Sequence, residues 1–320
     1  MRTQGNLLLF LMALATTPVI GQTVESGGVP DSRPASIPDI SGKWVHGFCC
    51  GFQPPLSGPG PVANKSRRAQ LFGSDGRSLP ANANAPRVSD VYQFIGDYTN
   101  PILKPAAAEV VIKHNEIEAS GVPYPTPRNQ CWPEGVPFAF ANFGMQLLQQ
   151  PDKLTILYEH DHQVRRVRLN DSHPVQLTPS WYGDSVGHYE GDTLVVVTVG
   201  IKIGSFSMID WYGTPYTHAL HVVERYRLID YEAVTLAEER AAKEYRRVGT
   251  SLTSDPNYKG KGLQLEFTVE DGGVFAMRWS ATITYRRAWN EWPEDVCAES
   301  LHATYVDRNS AVPQADQPDF

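Results

Sequence analysis

The pattern of apolar and polar positions predicts a chain made mostly of β-strands. Short segments with alternating or β-branched apolar residues recur along the chain, and Gly, Pro, Asp or Asn residues separate them. The predicted strands are 40–45, 153–160, 163–169, 192–199, 220–227, 263–269 and 275–285. Residues 270–273, Glu-Asp-Gly-Gly, predict a tight hairpin turn between the last two strands.

Two segments have the composition of helices. Residues 101–120 contain an Ala-rich run after Pro105, which suits the first position of a helix, and residues 232–247 are rich in Ala, Glu, Leu and Arg. Long loops are predicted at 53–63, 79–88 and 121–137, where Pro and Gly or small polar residues concentrate. The predicted fold is therefore an antiparallel meander with a few short helices and long loops. Closing it into a lipocalin-like barrel would remove its exposed edges and provide a cavity for a small ligand.

The first residues have the pattern of a secretory signal peptide. Arg2 supplies a positive charge, residues 7–15 form an apolar run, and Val19 and Gly21 suit the positions before a cleavage site. The apolar run is shorter than the ~20 residues that a membrane-spanning helix needs. We therefore predict a signal peptide over 1–21 with the mature chain beginning near Gln22, and a retained membrane anchor is the alternative.

The rest of the chain is predicted to form one domain in the periplasm or outside the cell. Residues 22–39 are predicted to be a flexible leader, 40–300 a single barrel-like domain, and 301–320 a C-terminal tail. No later segment is apolar enough to span a membrane. The net charge of −7 argues against a nucleic-acid-binding protein, which would present a basic face.

The chain has four cysteines, and export makes disulfides possible. Four cysteines allow three pairings, but adjacent cysteines such as Cys49 and Cys50 rarely pair because the geometry is strained. We predict a disulfide between Cys131 and Cys297, which both lie in loop-like settings, and free thiols at Cys49 and Cys50. No Cys or Cys/His spacing typical of zinc sites is present.

Several runs resemble a large group of secreted bacterial proteins that are mostly uncharacterised. These are Gly-Asp-Ser-Val-Gly-x-x-Glu-Gly-Asp-Thr-Leu-Val-Val at 183–196, Leu-His-Val-Val-Glu-Arg-Tyr at 220–226, Cys-Trp-Pro-Glu-Gly-Val-Pro at 131–137, and the segment around Cys297. The resemblance covers roughly residues 120–300 and implies membership of this group without implying an activity.

The chain departs from that group at one place and resembles a second group weakly. Members often have a His-Pro-His-Ser-Glu-like run before the Val-Glu-Arg strand, whereas residues 214–218 read Thr-Pro-Tyr-Thr-His, with Tyr216 at a polar position. This difference suggests a specialised substrate. Gly42 and Trp44 are similar to the Gly-x-Trp that opens lipocalin-like barrels.

The candidate catalytic side chains in the sequence are histidines, tyrosines and carboxylates. It has no G-x-S-x-G in a strand-turn-helix setting, no G-x-G-x-x-G, no P-loop and no H-E-x-x-H, so we expect no nucleotide or other cofactor. His160 and His162 would share one face if their segment is a strand. They could hold a metal ion, act as a base and its positioner, or lie exposed on a turn, and we predict no metal site.

A catalytic pocket is predicted between the strand that ends near His160 and the segment 210–224. Tyr158 and His160 continue the face of Leu154 and Ile156, while His218 and His221 enter the next strand from a loop. The predicted catalytic residues are His160, His218, Glu224 and Tyr158. A buried Glu224 needs a cation, which Arg166 or Arg225 could supply. It is then either a general acid or base, or half of a structural ion pair.

Aromatic loop residues could stack on a flat ligand near the mouth of the barrel, although they equally suit ordinary packing. The predicted substrate-binding residues are Trp181, Asp210, Trp211, Tyr212, Tyr216, His221 and Arg166. The sequence therefore predicts an exported enzyme that acts on a small, aromatic molecule by acid–base chemistry, as a lyase, decarboxylase or isomerase. A non-catalytic ligand-binding barrel is the alternative, and an envelope structural protein without a cavity is a third. Its oligomeric state is not predicted.

Overall fold

A computed structural model describes residues 37–46, 51–65, 94–120, 124–141, 144–244, 254–289 and 294–298. The predicted signal peptide, residues 22–36 of the predicted leader, Cys49, Cys50 and the predicted tail lie outside these residues. None of the helices in these ranges is long and apolar enough to cross a membrane.

The described strands form a closed barrel in which each strand pairs with the next and β9 pairs with β1. The strands are β1 (Gly42–Val45), β2 (Gly144–Gln149), β3 (Lys153–Tyr158), β4 (Val164–Leu169), β5 (Asp184–Glu190), β6 (Thr193–Val199), β7 (His221–Ile229), β8 (Gly262–Glu270) and β9 (Trp279–Arg287). The predicted mostly-β barrel is confirmed. Closure matters because it leaves no unpaired strand edge along this sheet.

One pair of strands departs from the predicted antiparallel meander. β4 and β5 run parallel, with Arg168 opposite Val186 and Leu169 opposite Gly187, while the other eight pairs in the barrel are antiparallel. A parallel neighbour requires the chain to return to the starting end of β4, and residues 170–183 make that return. We use "upper end" for the end of the barrel where β1, β3, β6 and β8 finish and β5 and β7 begin.

Both predicted helices are present. α1 (Pro105–Ser120) begins at the predicted proline, and its buried side chains include Ala107, Val111 and His114, spaced as one helical face. α2 (Tyr231–Glu244) follows β7 directly. The Ala- and Glu-rich composition of both segments favours helix over strand.

The predicted start of the last strand and the predicted hairpin turn before it are wrong. β9 begins at Trp279 rather than at residue 275, and residues 271–278 form a longer connection instead of a tight hairpin turn. The buried Asp271 carboxylate organises this connection by accepting hydrogen bonds from the backbone N–H groups of Gly273 and Thr217. Phe275 then turns inward and contacts the Trp279 ring edge-on at 5.8 Å.

The core lies inside the barrel and continues past its upper end. Alternate residues of each strand point inward, as the burial of Leu154, Ile156 and Tyr158 in β3 shows. At the upper end, the rings of Phe52 and Phe140 pack 4.9 and 5.0 Å from the Phe267 ring. Loop residues thus cover this end of the barrel.

Candidate functional site

A buried ion pair spans the interior of the barrel. Arg165 on β4 and Glu224 on β7 are 1% and 0% exposed, and the guanidinium donates two hydrogen bonds to the carboxylate, at 2.9 and 2.5 Å. This two-pronged contact fixes both groups, because the planar guanidinium matches the carboxylate. Arg165 points inward because it alternates with the exposed Val164 and Arg166 along β4.

The remaining polar groups of this pair are also bonded. Arg165 donates to the hydroxyls of Ser185 at 3.1 Å and Thr198 at 2.5 Å, and the Tyr226 hydroxyl donates to Glu224 at 2.8 Å. Burial opposes the charged form of Arg165, but Glu224 outweighs it and raises the Arg165 pKa well above its usual value. A network whose charges are all paired stabilises one arrangement of the barrel. Its charged groups are already hydrogen-bonded within the protein and are not directed at a ligand.

Two of the four predicted catalytic residues, Tyr158 and Glu224, belong to this network. The Tyr158 hydroxyl lies 3.5 Å from an Arg165 nitrogen, and burial raises the Tyr158 pKa. The expectation that Arg166 or Arg225 balances Glu224 is wrong. Arg166 is exposed, and Arg225 faces outward and pairs with Glu190 at 2.8 Å, because the alternation of β4 and β7 places both on the outer surface.

His160 occupies a different place from the one the strand pattern predicted. β3 ends at Tyr158, and a 3₁₀ turn (His160–His162) follows at the upper end of the barrel. The side chain of His160 is buried, whereas His162 and Asp161 are exposed. The two histidines therefore do not share a strand face, because the turn rotates the chain out of its extended conformation.

His160 lies between two carboxylates that the sequence did not single out. Its Nδ1 is 3.0 Å from Asp295 Oδ2, and its Nε2 is 3.7 Å from Glu134 Oε1. Glu134 is fully buried, and Asp295 is about one-third exposed. Glu159 completes what we call the His160 cluster (His160, Glu134, Glu159 and Asp295), and burial raises the pKa of Glu159.

The backbone around this cluster is unusual. Four non-glycine residues of the described chain have a positive φ, and three of them are Cys131, Asp161 and His162. The left-handed conformation costs an L-residue about 1–2 kcal/mol, and such residues concentrate at functional sites. The predicted disulfide between Cys131 and Cys297 is confirmed at this corner, and the Cys297 N–H donates to Asp161 Oδ1 at 3.3 Å.

A tyrosine and an amide support the cluster from the barrel side. Gln163 Oε1 accepts hydrogen bonds from the Glu134 N–H at 2.8 Å and from the Tyr182 hydroxyl at 2.9 Å. Burial, reinforced by the charge of Glu134, raises the Tyr182 pKa to about 12. Tyr182 therefore stays protonated, and its one hydroxyl proton is used in the hydrogen bond to Gln163.

Half-buried aromatic rings adjoin the cluster. We call Trp132, Trp181 and Phe206 the aromatic corner, because the Trp132 ring meets both other rings edge-on at 5.4 Å. The exposed Lys202 ammonium lies 4.7 Å from the centre of the Trp181 ring. Gly204 packs closely against Trp181, since a Cβ at that position would lie 2.7 Å from its ring.

The chain itself joins the aromatic corner to the His160 cluster. Trp132 follows the disulfide residue Cys131 and precedes Glu134 by two positions. Trp181 directly precedes Tyr182, whose hydroxyl donates a hydrogen bond to Gln163. Both segments therefore carry an aromatic platform and a polar group to the same region of the upper end. Flat rings beside convergent polar groups are typical of small-molecule sites.

The remaining predicted catalytic residue, His218, and the other predicted binding residues lie in different settings. His218 is exposed, His221 is half-buried, and the Tyr216 hydroxyl donates to the Lys202 carbonyl at 2.9 Å. Trp211 and Tyr212 are buried, and Trp211 stacks 5.0 Å from Phe94.

Asp210 has a conformational role in its loop. Its Oδ1 accepts hydrogen bonds from the N–H groups of Tyr212 at 2.9 Å and Thr214 at 3.2 Å, which closes the turn. Its Oδ2 has no hydrogen-bond partner of its own. Burial raises the Asp210 pKa to about 6, although the hydrogen bonds from this loop oppose the shift.

Within the described ranges, no group of three or more His, Cys, Asp or Glu side chains could hold a metal ion. Comparisons of the chain with models of protein families, with curated proteins and with solved structures found no significant match. The resemblance to secreted bacterial proteins, drawn from residues 183–196 and 220–226, therefore stays a prediction.

Proposed function

We propose that this protein is an enzyme that performs acid–base chemistry on a small aromatic molecule at the upper end of the barrel, with His160 as the proton-transferring group. The observation that carries the proposal is the placement of a buried imidazole between Asp295 and Glu134. An imidazole held in this way by two carboxylates is placed to pass a proton through its ring, which is the role of a general acid or base.

The two carboxylates have different parts in this proposal. Asp295 accepts the hydrogen bond of the Nδ1–H and so fixes the ring orientation and the neutral tautomer. Glu134 faces the opposite nitrogen at 3.7 Å, longer than a hydrogen bond, and the contact can shorten when a substrate excludes water. The Nε2 of His160 is then the atom that exchanges a proton with the substrate or with Glu134.

The aromatic corner supports an aromatic substrate. Trp132 and Trp181 are half-buried beside the cluster, and Lys202 places a positive charge above the Trp181 ring. A flat ring can stack on these indoles while Lys202 attracts an acidic substituent. Proton transfer to or from carbon next to such a ring suits a lyase, decarboxylase or isomerase, and none of these needs a nucleotide cofactor.

The interior of the barrel supports this placement of the site. The polar side chains of the Arg165–Glu224 network inside the barrel are bonded to one another. Both Glu224 oxygens accept hydrogen bonds from the Arg165 guanidinium, and the Tyr226 hydroxyl donates to one of them, so the carboxylate is already fully engaged. We therefore propose that Glu224 has a structural role and that Glu134 is the carboxylate that takes part in acid–base chemistry.

The proposed compartment is the periplasm or the medium outside the cell. The disulfide between Cys131 and Cys297 is compatible with an oxidising compartment. The leader with Arg2 and the apolar run at 7–15 supports export. N-terminal analysis of the exported protein is expected to begin near Gln22, and an intact Met1 on protein recovered from the periplasm would contradict export by a cleaved signal.

The function is tested by screening small aromatic acids and their neutral analogues against the mature protein. Binding is followed by tryptophan fluorescence, and turnover by mass spectrometry of the reaction mixture. Trp181→Ala is expected to weaken binding, whereas Trp289→Ala, which removes a tryptophan that is 57% exposed, leaves it unchanged. His160→Gln is expected to retain binding and lose turnover. Binding without turnover by the native protein would support the alternative, a ligand-binding barrel.

A further inference from the structure

Asp295 reaches His160 from a short segment near the C-terminus of the described chain. Residues 294–298 lie beyond β9, and their described polar contacts go to the His160 corner. Cys297 bonds covalently to Cys131, its N–H donates to Asp161, and its sulfur lies 3.1 Å from the Arg128 carbonyl oxygen. The disulfide is therefore the one covalent attachment that the described residues provide within this corner.

The length of chain between Asp295 and its nearest fixed point shows how strongly the disulfide restricts the position of Asp295. Asp295 is two residues from Cys297, so the oxidised chain keeps its Cα within about 7 Å of the Cys297 Cα. Without the disulfide, the nearest end of a barrel strand is Arg287, eight residues away, which allows a span of about 28 Å. The disulfide thus confines the carboxylate to a small volume around His160 and raises its effective concentration there.

We propose that the disulfide between Cys131 and Cys297 assembles the site by holding Asp295 against His160, and that reducing it disables the site. This inference rests on the proposed function for its catalytic consequence. Asp295 is a positioning residue, because it acts on the substrate only through the ring of His160. Its segment supplies an acidic partner that the barrel alone does not bring to the His160 Nδ1.

The redox step needs a dithiol as reductant. One thiolate of the dithiol attacks a sulfur of the protein disulfide, which forms a mixed disulfide and expels the other cysteine as a thiolate. The second thiolate of the dithiol then attacks its own sulfur in the mixed disulfide and expels the remaining cysteine. The protein disulfide gains two electrons and two protons to become two thiols, and the dithiol becomes an intramolecular disulfide. Asp295 is then free to leave His160, and reoxidation restores the contact.

The contact is measured by nitrogen-15 NMR of the histidine rings, which reports which ring nitrogen carries the proton. In the oxidised protein, the neutral His160 ring is expected to carry its proton on Nδ1, because a carboxylate only accepts hydrogen bonds. Treatment with dithiothreitol, and separately Asp295→Ala, is expected to abolish this preference. Glu294→Ala changes an exposed neighbouring carboxylate and is expected to leave it intact.

Turnover provides the second measurement once a substrate is found. Dithiothreitol and Asp295→Ala are each expected to lower kcat about 10²-fold, the scale of a small misplacement of a catalytic group. Reduction of the Asp295→Ala variant should then lower kcat little further, because the positioning residue is already missing. Melting temperatures identify any protein that has unfolded. Asp295→Ala retains the disulfide, so it tests the loss of the contact even if reduction unfolds the protein.

The outcomes separate this inference from the proposed function. An Nδ1 proton that persists after reduction, in a protein that stays folded, would overturn the inference even if turnover is found. Loss of that proton without turnover of any compound would uphold the contact and contradict the proposed function. Turnover that is unchanged by dithiothreitol and by Asp295→Ala would overturn the inference and leave the acid–base role of His160 standing.

Discussion

Replacing Glu224 with glutamine is expected to lower the free energy of unfolding far more than the loss of an exposed ion pair would. The change keeps the shape of the side chain but removes the charge that balances Arg165. Arg165 is 1% exposed and donates two hydrogen bonds to Glu224, so its charge would remain in the barrel without a counterion. Removing one partner of a buried pair costs about 3–5 kcal/mol.

The exposed pair of Glu190 and Arg225 provides a matched control. Its side chains are joined at 2.8 Å but are 48% and 44% exposed, so water screens both charges. Glu190→Gln is therefore expected to cost less than about 1 kcal/mol. A double variant, Arg165→Met with Glu224→Leu, removes both buried charges and is expected to recover most of the stability lost by Glu224→Gln.

Urea unfolding of the oxidised protein measures these differences, with intrinsic fluorescence and circular dichroism as two probes. Coincident transitions would justify reading the midpoints as free energies of unfolding. If Glu224→Gln and Glu190→Gln shift the midpoint equally, the buried pair does not stabilise the barrel. If Glu224→Gln leaves stability intact but abolishes turnover, Glu224 is catalytic and the site has been placed wrongly.

Three other perturbations test the burial and the covalent link. The folded-state pKa of Asp210, about 6, exceeds its ordinary 3.8, so its contribution to stability is full below about pH 4 and is lost as the pH rises to about 6. Asp210→Asn should therefore raise stability at pH 8 by about 3 kcal/mol, and equal urea midpoints of variant and native protein at pH 8 would contradict this. His114 has the opposite slope, because burial lowers its pKa from 6.5 to about 4 and stability is lost as the pH falls through that window. His114→Phe should flatten the pH dependence of the midpoint between about pH 6.5 and 4, whereas an unchanged profile would mean that His114 does not titrate as described. Replacing Cys131 and Cys297 together with serine opens a closed loop of 166 residues and should cost about 5 kcal/mol in the chain-entropy model, and a midpoint equal to that of the oxidised protein would refute it.

The sequence predicts the barrel because its signals are local. Alternation in residues 220–227 and β-branching in 192–199 define strands β7 and β6 within a few positions of their ends. The helix after Pro105 follows equally from its composition and first residue. The parallel pairing of β4 with β5 has no comparable signal, since it depends on the path of residues 170–183 through space.

The site is less predictable because it is assembled from distant segments. Alternation identifies Glu224 as inward-facing, but its partner Arg165 lies 59 residues away, and Arg165 itself appears in a run of basic residues that suggests a surface. His160 stands out through its neighbour His162, yet Glu134 and Asp295 reach it only through the turn and the disulfide. The pairing of Cys131 with Cys297 was the one available sign that these segments meet.

The most direct test of the account is the single-turnover rate of His160→Gln with a substrate found in the aromatic screen, measured beside His218→Gln. His218 is an exposed histidine at the same end of the barrel. Its replacement controls for the effect of losing any histidine from this end. We expect His160→Gln to slow the reaction about 10²- to 10⁴-fold with unchanged substrate binding, and His218→Gln to have no effect. A His160→Gln protein that is folded and reacts at the native rate would contradict the central claim.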